Sequence, residues 1–154
     1  MLKLAWYLIT DRDYWTDTET LPAPVRELTS TLHHQFNDEA PFTPAHTAAA
    51  ADILLQTAGY LSDAVRHGPA TVPDRAGLAR LLHAINLLLA YLAQAVDRLA
   101  RQVEIGTGTD LSPLGGDDQA KLAATLAAAT GRLEDTADLI KQAHVAARAS
   151  LGIR

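Results

Sequence analysis

The chain has 154 residues, no cysteine and a formal net charge of −5, with 13 Lys and Arg against 18 Asp and Glu. That length fits one domain able to bury a sizeable core. The missing cysteines exclude disulfides, thiol nucleophiles and thiolate metal sites, and the acidic balance argues against generic nucleic-acid binding. Alanine and leucine make up about a third of the residues and aromatics 5%, the balance of an all-α protein rather than a sheet. The arginine and alanine excess points to a GC-rich, bacterial genome, and the absence of a secretory signal pattern to a cytoplasmic protein.

Residues 2–9 carry apolar side chains at both helical and alternating spacing, so periodicity does not choose between helix and strand. A short helix is favoured, because no second strand pattern exists to pair with it. The N-terminal segment 1–20 also holds Trp6, Tyr7, Tyr14 and Trp15, half of the aromatic residues of the chain. Such residues either close one end of a helical bundle or form a partner-binding surface.

Pro22 and Pro24 introduce a first clear helix over 24–37, with Val25, Leu28, Leu32 and Phe36 as its apolar seam. Thr43 and Pro44 have the signature of an N-cap and first position for a second helix over 44–67. Its inner side is Ala50, Ile53, Leu54, Leu61, Ala64 and Val65, and Gly68 is its stop.

The third helix, 73–105, organises the rest. Leu78, Leu81, Leu82, Ile85, Leu89, Leu92, Val96, Leu99 and Val103 form one stripe at 100° per residue. Arg80, His83, Gln94, Asp97, Arg98 and Arg101 fall opposite. Leu87 and Tyr91 widen the apolar surface, which places this helix among several neighbours. Thr71 and Asp74 have capping-box spacing and Gly106 is a left-handed stop. The longest uninterrupted apolar run is Leu87 to Ala93, which argues against a membrane span of about 20 apolar residues.

Residues 106–116, GTGTDLSPLGG, form a flexible interhelix loop. The loop lacks the Gly-Lys-Ser/Thr ending of a phosphate-binding loop. The last helix, 117–150, has Leu122, Leu126, Ala129, Leu133, Ile140, His144 and Ala147 on one stripe. Ala120, Ala124, Ala127 and Gly131 make a small-residue back face suited to close approach of another helix. Thr57–Ala64 faintly echoes Ala129–Ala137, each with a mid-helix glycine. Gly59 and Gly131 are expected to mark close helix contacts, since each costs about 1 kcal/mol against alanine.

The expected fold is therefore a single-domain, antiparallel helical bundle of three long helices, one shorter helix and an N-terminal segment. No catalytic constellation, cofactor motif or metal-ligand set stands out. The i,i+4 pairs Asp63/His67 and His34/Asp38 read as surface pairs, and Glu134, Asp135 and Asp138 as a solvated acidic patch.

Functionally, the sequence favours a non-catalytic protein that associates with itself or another helical protein, with no nucleic acid, membrane, cofactor or metal. Trp6, Tyr7, Tyr14 and Trp15 are the candidate partner-binding residues. The alternative is a small-molecule-binding bundle, sensor or enzyme, with His144 and Tyr91 as the polar groups of an interhelical pocket. A DNA-associated regulator is the remote third reading, because the arginine pair Arg98 and Arg101 is flanked by Asp97 and Glu104.

Overall fold

A computed structural model of the chain describes residues 22–36, 39, 42–67, 74–106 and 115–149. The candidate partner-binding residues Trp6, Tyr7, Tyr14 and Trp15 lie outside the described residues, as does most of the 106–116 loop. The fold is all-α. Among the described residues there are four helices and no strand: α1 Ala23–Gln35, α2 Pro44–Val65, α3 Arg75–Ile105 and α4 Gly116–Ala149. Two compact units divide them, with α1 and α2 in one and α3 and α4 in the other.

The helix boundaries follow from capping chemistry. The Thr43 hydroxyl accepts the His46 backbone N–H at 3.2 Å, and Pro44 takes the first position of α2, where no N–H is needed. Asp74 is itself the N-cap of α3, its carboxylate accepting the Gly77 N–H at 2.6 Å. The capping box predicted from Thr71 therefore starts α3 too early. At the other end Gly106 adopts φ +68° and donates its N–H to the Val103 carbonyl at 3.3 Å, the conformation that favours glycine at a helix stop. Asp117 and Asp118 in the first turn of α4 and Arg148 in its last suit the helix dipole.

In the first unit, neither α1 nor α2 contains a buried residue. The predicted α1 seam stands in solvent at Val25, Leu28 and Phe36, and only Leu32 is partly covered. On α2, Ile53, Leu54, Leu61 and Ala64 are half-buried, whereas Ala50 and Val65 are exposed. A 13-residue helix is marginal on its own local hydrogen bonds. Two threonines, Thr29 and Thr31, bond back to the carbonyls of Val25 and Glu27.

The second unit is an antiparallel hairpin with extensive packing between α3 and α4. His83 meets His144, Asn86 meets Ala137 and Val103 meets Gln119, so positions rise along one helix as they fall along the other. At 1.5 Å per residue α3 is about 46 Å long.

By length and composition alone, α3 is apolar enough to cross a membrane, although 28% of the qualifying stretch is buried inside the protein. Its longest apolar run was too strict a test. No charged residue occurs between Arg80 and Asp97, and His83, Asn86 and Gln94 interrupt that stretch without adding a charge.

Candidate interaction surface

From Ala79 to Ala100 the hairpin seam follows a 4-3 alternation, after which buried Val103 comes at a further step of three. On α3 the buried positions Ala79, His83, Asn86, Ala90 and Ala93 continue through half-buried Asp97 to buried Ala100. On α4, Gln119, Ala123, Leu126, Thr130, Leu133, Ala137, Ile140, His144 and Ala147 are partly or fully covered at the same spacing, and Ala129, Glu134, Asp138, Lys141 and Arg148 are half-buried beside them. This is the 3.5-residue period that keeps two helices in register. The α3 side is unusual in being built from alanines and polar groups. No large side chain among the described residues is fully buried.

The leucines of α3 lie elsewhere. On a 100° wheel the stripe from Leu78 to Val103 is centred roughly 100° from the seam. His83, placed on the polar side by its distance from the leucines, is instead buried at 7% exposure. Wheel reasoning centred on the bulkiest residues points to the wrong face, because α4 packs where alanines allow its backbone to approach.

The direction of that rotation matters. α4 runs antiparallel; its Leu126, Leu133 and Ile140 are half-buried seam positions and Leu122 is exposed. On a helical wheel Leu122 and the α3 stripe fall on the same flank of the hairpin, where Leu81, Leu82, Ile85, Leu89, Leu92 and Val96 are half-buried. Leu78, Leu99 and Leu122 on this flank are 40%, 49% and 37% exposed.

On the other side of the hairpin is an open cleft of about 920 Å³ between the C-terminal part of α3 and the N-terminal part of α4. Ala100 and Ala123 are the more covered of the alanines that line it. Of its polar groups, Asp97 pairs with Arg101 at 3.0 Å, and the Gln119 amide donates to the Val103 carbonyl. Nothing within the cleft converges on a point where a substrate atom could be held.

The back face predicted for close helix approach is open. Ala120, Ala124 and Ala127 are exposed on the rim of the cleft. A methyl group added at Gly131 or Gly59 would meet nothing within 4 Å. The expectation that these glycines mark close helix contacts is thus corrected.

His144 is 2% exposed and sits in the seam, its ring centroid 5.1 Å from that of His83 with the planes tilted by 47°. Tyr91 is 60% exposed and lies eight residues beyond His83, about 12 Å further along α3. His144 and Tyr91 are not brought together, and neither of them lines the 920 Å³ cleft. The only signal in the sequence for the His83–His144 meeting is the 4-3 spacing of small residues around His83.

Next to this pair, the Asn86 amide donates to the Ala137 carbonyl at 2.6 Å from a position 4% exposed. The polar residues that are buried among the described ones, His83, Asn86 and His144, therefore all lie in the half of the hairpin remote from the interhelix connection.

No group of three His, Cys, Asp or Glu residues suited to a metal ion occurs among the described residues. Asp63 pairs with Arg66 at 3.6 Å in solvent, and Asp138 accepts from the Gln142 amide at 3.0 Å. Comparison with known protein families, with curated proteins and with solved structures gives no match to this chain.

Proposed function

We propose that this chain is a non-catalytic helical protein that works by association, with itself or with another helical protein, through apolar faces its own seam leaves uncovered. The observation that carries this reading is the inverted placement of side-chain size. Small and polar residues form the α3 side of the α3–α4 seam, while Leu78, Leu99 and Leu122 stand on the flank and Leu28, Leu55 and Tyr60 stand in solvent on α1 and α2.

Energetics favour covering that flank. Fully burying a leucine contributes about 1.5–3 kcal/mol, whereas a methyl group contributes about 0.8 kcal/mol. The residues that would supply the larger amount are the ones left partly in water. The spacing Leu78, Leu82, Ile85, Leu89, Leu92, Val96 and Leu99 is that of a helix offering anchors at i, i+3, i+4 and i+7 to another apolar helix or groove.

A protein partner suits α3 better than a bilayer. Asn86 and the two seam histidines hold buried polar contacts with α4, and Arg98 and Arg101 follow the apolar stretch within two turns of its end.

The test is sedimentation equilibrium from micromolar concentrations upward, together with the double variant Leu78→Lys/Leu99→Lys. The expected result is a mass above the 16.5 kDa monomer for the wild type, returning to monomer in the variant at unchanged helicity. A strictly monomeric wild type at every concentration would count against self-association. Co-sedimentation with lipid vesicles would replace the protein partner with a membrane.

A further inference from the structure

Both sides of the α3–α4 seam repeat every seven residues. On α3 one column is Ala79, Asn86, Ala93 and Ala100, in which Asn86 alone is not alanine. On α4 one column begins Gln119, Leu126, Leu133 and Ile140, in which Gln119 alone is polar. Sliding the helices past each other by seven residues exchanges alanine for alanine and leucine for leucine or isoleucine along these columns. Side-chain size in them does not choose the alignment.

The length of the connection does not choose it either. Gly106 and Gly115 are nine residues apart in sequence, a reach of about 30 Å when extended. Neighbouring helix axes lie about 8–10 Å apart, and a seven-residue shift is about 10 Å.

The two residues that break the columns are the ones whose amides bond across the seam. Asn86, 4% exposed, donates to the Ala137 carbonyl at 2.6 Å. Gln119, partly covered, donates to the Val103 carbonyl beside the connection. Neither carbonyl depends on its amide, since Val103 also accepts the Gly106 N–H and Ala137 lies within α4. The amides do depend on the carbonyls, because a buried donor left without a partner costs its full desolvation.

The acceptor is also specific in position. Ala137 has no exposed surface and no side chain beyond Cβ, so its backbone is open to a neighbouring helix. Seven residues away in either direction the facing position is Thr130 or His144, each with a larger side chain.

We propose that Asn86 and Gln119 fix the register of the α3–α4 hairpin: their amides hold one alignment of a seam whose repeat otherwise admits alignments seven residues apart. The consequence reaches the apolar flank, because the alignment sets which part of the α3 stripe Leu122 stands beside. The inference concerns packing within one chain and does not depend on the association reading.

The chain has no cysteine, so introduced pairs report the alignment without background. The observed register sets Ala93 opposite Thr130, and a seven-residue shift sets it opposite Ala123 or Ala137. The experiment is oxidation of three full-length chains carrying Ala93→Cys with Thr130→Cys, Ala123→Cys or Ala137→Cys. Each is made with and without Asn86→Ala/Gln119→Leu, the change that makes both columns uniform. With the amides present, only the 93/130 pair is expected to close within one chain. With them removed, a shifted pair is expected to gain at least about tenfold in yield at retained helical circular dichroism, the scale of two lost hydrogen bonds.

A shifted pair that closes while the amides are present would overturn the proposal. So would closure of the 93/130 pair alone in both backgrounds, because the His83–His144 contact, kept throughout, would then suffice to set the register. Should the double variant not fold, Asn86→Ala and Gln119→Leu are read singly. A gain in a shifted pair for either supports the proposal, and no gain in both overturns it.

Discussion

Glycine and asparagine show how little a residue's identity says without its surroundings. Gly106 is held at φ +68° as the stop of α3, so Gly106→Ala is expected to cost about 1 kcal/mol through left-handed strain. Gly59 and Gly131 have the same side chain in open helical positions with no neighbour within reach. Alanine there is expected to raise stability by about 0.5–1 kcal/mol, because it removes the entropy of glycine without a clash. Denaturant midpoints of the three variants check both signs at once. Asn86 is a different case, a buried amide whose hydrogen bond crosses the seam. Asn86→Ala is expected to lower unfolding free energy by about 1–2 kcal/mol, the value of a buried hydrogen bond plus the gap left behind.

At the scale of the element, the decisive fact is that α3 packs on its alanines. Ala79, Ala90 and Ala93 have almost no exposed surface, so there is no free volume for a larger side chain between the two helices. Ala93→Leu is expected to destabilise by about 1–3 kcal/mol or to push α4 aside, as overpacking does. Ala124→Leu, on the exposed rim of the cleft, should stay within about 0.5 kcal/mol of wild type. Thermal unfolding of the two variants side by side separates seam from surface, and equal losses in both would mean that the seam has been assigned to the wrong face.

For the whole molecule, the question is what covers the aliphatic surface that the described helices leave in water. Leu78 and Leu99 are already partly solvated, so Leu78→Lys/Leu99→Lys should change monomer stability by no more than about 1 kcal/mol, within about 0.5 kcal/mol per exposed site. Association, if it uses the flank, should fall by at least tenfold in affinity, because two desolvated anchors become solvated charges. Equilibrium sedimentation at two concentrations measures this directly. A variant that associates as well as wild type would move the interaction to another face, with the exposed α1 seam the next to be tested.

The chain alone determined the helical class and the approximate span of the four described helices. These depend on local chemistry: a 3.6-residue period, Thr43 and Asp74 as caps, prolines at helix starts and Gly106 as a stop. It also marked the leucine stripe of α3 and the stripe of α4 correctly as apolar. What it did not determine was which side of α3 meets α4. Hydrophobic periodicity weighs side chains by size and apolarity, and so points to Leu78–Leu99, whereas close antiparallel packing is governed by how near two backbones can come. That selected the Ala79–Ala100 line, carried His83 and Asn86 into the interior, and set His83 against His144 across 61 residues of sequence. A contact of that kind has no local signature, because it exists only once two distant helices share a seam.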